Sequence, residues 1–82
     1  MTYDYRTQGT CSKVIRITEE DGVLKEVKFV GGCPGNLQGI TRLVEGMRVD
    51  DVIARLEGIR CGGKPTSCPD QLACALKAAK NQ

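Results

Sequence analysis

The segment Cys-Pro-x-Asn/Gln-Leu occurs twice in this chain, as Cys33-Pro34-Gly35-Asn36-Leu37 and as Cys68-Pro69-Asp70-Gln71-Leu72. It limits the possible folds more than any other feature. Proline suits the first turn of a helix, where its missing N–H costs nothing. Asp70 adds a negative charge near the positive end of the helix dipole. Leu72, Ala75, Leu76 and Ala79 then recur at helical spacing. Each segment therefore places a cysteine at or next to a helix N-cap, where backbone N–H groups favour thiolate over thiol. A thiolate binds soft metals and attacks electrophiles. The flanks of the two segments differ, so they are a short echo rather than a structural repeat. The plainer alternative is that two helices share good start signals.

The other elements follow in order. Residues 1–10 are polar with Tyr3 and Tyr5 alternating, which suits a short edge strand or an extended arm. Cys11 to Thr18 is rich in β-branched residues and reads as a strand. Glu19-Glu20-Asp21-Gly22 is a turn, with Asp-Gly its strongest signal. Val23 to Val30 is the returning strand, with Val23, Val27 and Phe29 on one face and Lys25 interrupting it. Gly31-Gly32 ends that strand. Helices are expected over Pro34 to Val44, over Val49 to Leu56, and from Cys68 onward, the first two followed by Gly46 and Gly58 as stop signals. Residues 59–65 form a loop. The fold class expected is α+β: an antiparallel hairpin or small sheet followed by three helices packed on one face. Residues 1–82 read as one small domain with no linker.

A core of this size is marginal, and such domains often need a metal, disulfides or a partner subunit. The chain has five cysteines among 82 residues, no histidine and no tryptophan. Met1 to Arg6, with an acid and no apolar run, does not read as a signal peptide, and no apolar run approaches membrane-spanning length. The expectation is a cytoplasmic location, where cysteines read as metal ligands or redox groups. An odd count also cannot pair completely. A net charge of +2, with scattered basic residues, argues against nucleic acid as a partner.

Four cysteines can converge. Cys11 starts the first strand of the hairpin and Cys33 follows the second. These ends are neighbours in an antiparallel pair, since the turn lies at the other end. Cys61 and Cys68 flank a short Gly-rich loop. Without histidine, a four-thiolate site of Cys11, Cys33, Cys61 and Cys68 suits zinc or an iron–sulfur cluster. The alternative is four small buried hydrophobes. Against it, each stands at an element boundary beside Gly or Pro rather than in an apolar stripe. Cys74 lies off the Leu72, Leu76 and Ala79 stripe and reads as a helix-flank residue. Gly58-x-x-x-x-Gly63-Lys64 begins like a phosphate-binding loop. Pro65 stands where Ser or Thr is needed, and a helix rather than a strand precedes it. Nothing resembles an acid–base pair or a Ser/His/Asp triad, so no catalytic residue is assigned. Asp50, Asp51, Glu19, Glu20 and Asp21 read as solvated turn and helix-start residues.

Thr66-Ser67-Cys68-Pro69-Asp70 is the motif that names the TSCPD domain. Cys11-Ser12, Gly31-Gly32-Cys33-Pro34-Gly35-Asn36 and Gly58-Ile59-x-Cys61-Gly62 resemble its small stand-alone, four-cysteine branch. Larger relatives carry the domain at the C-terminus of cobalamin-dependent ribonucleotide reductases. The resemblance therefore implies ribonucleoside-diphosphate reduction and deoxynucleotide synthesis. Eighty-two residues are too few for the reductase barrel, so the expected role is an accessory or redox-tail module. Its expected partner is a ribonucleotide reductase subunit or redox protein, with a homodimer a further expectation. The order of cysteines, strands and helices is also similar to U-type iron–sulfur scaffold proteins. In those, three cysteines at the positions of Cys11, Cys33 and Cys68 hold zinc or a nascent cluster. Lys13 and Ser67 depart from the acidic residue and histidine of that family, and Cys61 is an addition that would close the coordination shell. The alternative functions implied are a cluster scaffold or carrier, or a thiol redox protein delivering electrons to a reductase.

Overall fold

The computed structural model describes residues 1–10, 12–31, 34–60 and 62–80. Three strands come first: β1 (Thr2–Arg6), β2 (Ser12–Glu20) and β3 (Val23–Gly31). Three helices follow: α1 (Pro34–Val44), α2 (Val49–Leu56) and α3 (Cys68–Lys80). The sheet is antiparallel in the order β1-β2-β3. This is the expected α+β arrangement, with residues 1–10 supplying an edge strand rather than an arm. The expected helix spans 34–44 and 49–56 are the observed ones.

The β2–β3 turn is tighter than expected, because the strands run on to Glu20 and from Val23. Only Asp21 and Gly22 lie between them, both with positive φ (54° and 78°). Two successive left-handed residues match the right-handed twist of the flanking strands, and Asp-Gly tolerates them best.

One sheet face carries the core. Tyr5, Ile15 and Phe29 form one cross-strand row, and Tyr3, Ile17 and Val27 the next. Ile15, Ile17, Leu24, Val52, Leu72 and Leu76 are the largest fully buried side chains. Each contributes about 2 kcal/mol by leaving water. They join Val27, Val44, Val49 and Ala75 in one cluster, so all three helices cover the same face. The opposite face carries the Asp4–Arg16 ion pair and Lys28.

Two irregularities break the strand alternation. Thr18 pairs with Glu26 and Glu19 with Leu24, which leaves Lys25 without a partner. An extra residue reverses which side chains face inward. Leu24 is thereby fully buried and Lys25 exposed. This corrects the expectation that Val23 and Lys25 continue the Val27 and Phe29 face. The second irregularity leaves Lys13 unpartnered between the pairs Ser12–Gly31 and Val14–Val30. Continued alternation from Ile17 and Ile15 would bury Lys13. Instead Lys13 is exposed and Ser12 is buried, at 2% exposure.

The α1–α2 connection closes the turn end of the sheet. Leu24 N–H donates to Met47 C=O (2.8 Å), Gly46 N–H to Leu24 C=O (2.7 Å), and Val49 N–H to Gly22 C=O (2.8 Å). Surface ion pairs Lys77–Glu57 and Lys80–Asp50 link α3 to α2. Being exposed, they contribute little.

Candidate metal centre

Of the four expected thiolate ligands, Cys68 belongs to the described residues. Cys11, Cys33 and Cys61 lie outside them. Cys68 is the first residue of α3 and is buried. Ser67 is the residue before it and acts as the N-cap. Its Oγ accepts from Asp70 N–H at 3.2 Å, and its C=O accepts from Gln71 N–H at 2.8 Å. A serine oxygen here satisfies one of the orphan donors of the first turn.

The remaining polar groups of this segment tie the helix start to two other parts of the chain. Ser67 Oγ donates to Ile59 C=O at 2.7 Å, and Asp70 Oδ1 accepts from Gly58 N–H at 2.7 Å. These two bonds hold the end of the α2–α3 loop that leads to Cys61. Asp70 also accepts from the Thr66 hydroxyl. Thr66 and the Gly58 amide hold the Asp70 carboxyl below its ordinary range. Gln71 reaches the other way. Its Nε2 donates to Thr66 Oγ1 at 3.0 Å, while its Oε1 accepts from Gln8 N–H at 3.0 Å. Gln71 thus fastens α3 to the β1–β2 loop. Gly9 in that loop has φ +75°, and a Cβ there would stand 3.1 Å from Thr66 Cγ2.

The open end of the hairpin approaches from the same side. Ser12 Oγ lies 3.1 Å from Cys68 Sγ. Thr10 Oγ1 is 3.2 Å from Ser12 Oγ and also donates to Ser12 C=O at 3.2 Å. Thr7 donates to the same carbonyl. The described neighbours of the four cysteines therefore meet at one pole. Ser12, next to Cys11, touches Cys68 and pairs with Gly31, two residues before Cys33. Ile59, two residues before Cys61, is bonded to Ser67.

A family model for the TSCPD domain matches residues 1–80. The chain belongs to the TSCPD-domain family. This is a cysteine-containing domain linked to ribonucleotide reductases. No curated protein and no solved structure matches the chain. The TSCPD residues now have distinct physical tasks: Thr66 and Asp70 bind each other, Ser67 caps, and Cys68 presents sulfur at the pole.

Cys74 is half-buried on α3. Burial pushes its thiol pKa up and the Asp70 charge adds to this. It is thus the helix-flank residue expected. Among the described residues, no group of three or more Cys, Asp or Glu side chains is arranged to hold a metal ion. Among them too, no helix is long and apolar enough to cross a membrane.

Sequence reasoning missed Ser12 and Gln71. Both had signals. Strict alternation from Ile17 and Ile15 would have buried Lys13, an unfavourable outcome that a bulge avoids. Gln71 occupies the same helical stripe as Cys68, Leu72 and Ala75, where a polar residue must find buried partners.

Proposed function

We propose that this TSCPD domain is a non-catalytic, metal-holding accessory to ribonucleotide reduction, with Cys11, Cys33, Cys61 and Cys68 as the ligands of a zinc ion. The observation that carries this reading is the Ser12 Oγ–Cys68 Sγ approach of 3.1 Å. It brings the residue after Cys11 against Cys68, while the Ser12–Gly31 and Ser67–Ile59 contacts draw in the chain leading to Cys33 and Cys61. The donor chemistry fits: with no histidine in the chain, thiolates are its soft ligands, and four of them complete a tetrahedral zinc shell. A bound metal would cross-link the hairpin, the α1 start, the α2–α3 loop and the α3 start. That supports a core which aromatic residues support only thinly.

Zinc and sulfide analysis of protein purified without oxygen, with an ultraviolet–visible spectrum, tests the assignment. About one zinc per chain and no colour is the expected result, with loss of zinc in Cys68→Ser. Iron with sulfide would replace zinc by a cluster and move the domain to the scaffold or carrier class. An absence of metal, with thiols that oxidise in pairs, would overturn the metal site in favour of thiol exchange. The reductase link is tested separately. The domain is expected to co-purify with a ribonucleotide reductase large subunit, and Cys61→Ser or Cys68→Ser is expected to weaken turnover of the complex.

A further inference from the structure

Ser12 is buried to 2% exposure, yet its side chain is a hydroxyl. It faces inward because the Lys13 irregularity reverses the alternation of β2. It meets Cys68 Sγ at 3.1 Å and Thr10 Oγ1 at 3.2 Å. A hydroxyl has a single proton to give. A thiolate, or a sulfur bound to a metal, accepts and does not donate. The proton of Ser12 then points at sulfur, so Thr10 must supply the proton between the two hydroxyls. The Thr10 hydroxyl lies 3.2 Å from both Ser12 Oγ and Ser12 C=O, so its one proton is divided between these two acceptors. With sulfur as the acceptor, the order Thr10 to Ser12 to Cys68 is the one these contacts allow.

We propose that Ser12 is the positioning residue of Cys68: its hydroxyl, oriented by Thr10, donates to the Cys68 sulfur and sets that sulfur's direction and electron density. The proposal deepens the metal-site reading and rests on it for the metal-bound state. In the metal-free thiol either atom of the 3.1 Å contact can donate, and the proposal there is the Ser12–Cys68 contact itself. Hydrogen bonds to ligands orient them and tune the metal, and losing one typically costs about 10–100-fold in affinity. Withdrawing electron density from sulfur also lowers the energy of its donor orbitals. Ligand-to-metal charge-transfer absorption therefore moves to higher energy when the bond is present.

The test uses the full chain and two probe metals. Zinc affinity is measured by competition with a chelator, and cobalt(II) reports the thiolate-to-metal charge-transfer bands. Ser12→Ala is expected to keep the metal stoichiometry, weaken zinc by about 10–100-fold and shift the cobalt charge-transfer bands to lower energy. Thr10→Ala, which leaves the Ser12 hydroxyl in place, is expected to shift them in the same direction by less. Val52→Ala, a core truncation away from the sulfur, serves as the control for general destabilisation and is expected to leave the bands unmoved. If Ser12→Ala matches the wild type in bands and affinity, or loses affinity with unshifted bands as Val52→Ala does, the proposal is overturned. Should the wild type bind neither metal, the metal reading fails and the proposal is decided on the reduced, metal-free chain. There the Raman S–H band that disappears in Cys68→Ala is expected to shift in Ser12→Ala. An unshifted band overturns the proposal.

Discussion

The two ends of the β2–β3 hairpin use the same backbone device for opposite purposes. At the turn end, the extra residue Lys25 turns Leu24 into the apolar core. The backbone there is matched by main-chain bonds from Gly46, Met47 and Val49. At the open end, the extra residue Lys13 turns Ser12 inward, against Cys68 and under Thr10. Its surroundings are held by side-chain groups from Thr66, Ser67, Asp70 and Gln71. An apolar residue buried by a bulge stabilises by itself, whereas a buried hydroxyl must be fully partnered to break even. The turn end is therefore self-sufficient, and the open end depends on its polar partners and on the metal proposed for it.

Metal removal should separate the two ends most strongly. Chelation of the metal-loaded protein is expected to cost several kcal/mol, because the binding energy of a structural metal is also folding energy. Amide hydrogen exchange locates the loss. Exchange at Gln8, Gly58, Asp70 and Gln71 should accelerate first, and exchange at Leu24, Gly46 and Val49 last. A uniform acceleration would erase the distinction between the ends. The opposite perturbation comes next in size. Leu24→Ala removes a fully buried side chain at the turn end and is expected to destabilise by about 2–5 kcal/mol in denaturant titration. Zinc stoichiometry should stay at the wild-type value, and its loss would show that the ends are not independent.

The legibility of the chain divides along the same line. The helices 34–44 and 49–56, the Asp-Gly turn and the one-sided core were readable because periodicity and turn chemistry are local. Both bulges were missed, and with them Leu24 and Ser12: Lys13 out of phase with Ile15 and Ile17 is a hint within β2, but the pairing between strands is what places a bulge. Cys68 was legible as the cysteine at a helix start. The network around it was not, since the partners of Gln71 and Asp70 lie 63 and 12 residues away in sequence. Cys11, Cys33 and Cys61 lie outside the described residues, and the part proposed for them is argued from their described neighbours.

A smaller effect sharpens the picture of the open end. Ser67→Ala removes both the N-cap acceptor of α3 and the donor to Ile59 C=O. The expected cost is about 1–2 kcal/mol. It should fall on exchange at Gly58, Asp70 and Gln71, with Leu24 and Gly46 unaffected. A cost spread evenly over both ends would mean that the cap serves the whole fold and not its cysteine pole.

The smallest effect belongs to Tyr3, beside the turn end. Its hydroxyl donates to Glu19 Oε2 at 3.0 Å. Burial, then the bond to Glu19 and the charge of that carboxylate, raise the Tyr3 pKa well above the usual phenol value. A raised phenol pKa means that the folded state favours the neutral form. Its stabilising contribution is complete below the unfolded value of about 10 and is lost as pH rises toward the folded one. Tyr3→Phe is therefore expected to cost about 0.5–1 kcal/mol at neutral pH and to flatten the alkaline loss of stability. The proposed metal site should not respond, because Tyr3 pairs with Ile17 on a part of β2 remote from Ser12. A change in zinc affinity in this variant would show that β1 transmits between the two ends, and the division drawn from the bulges would fail at its weakest link.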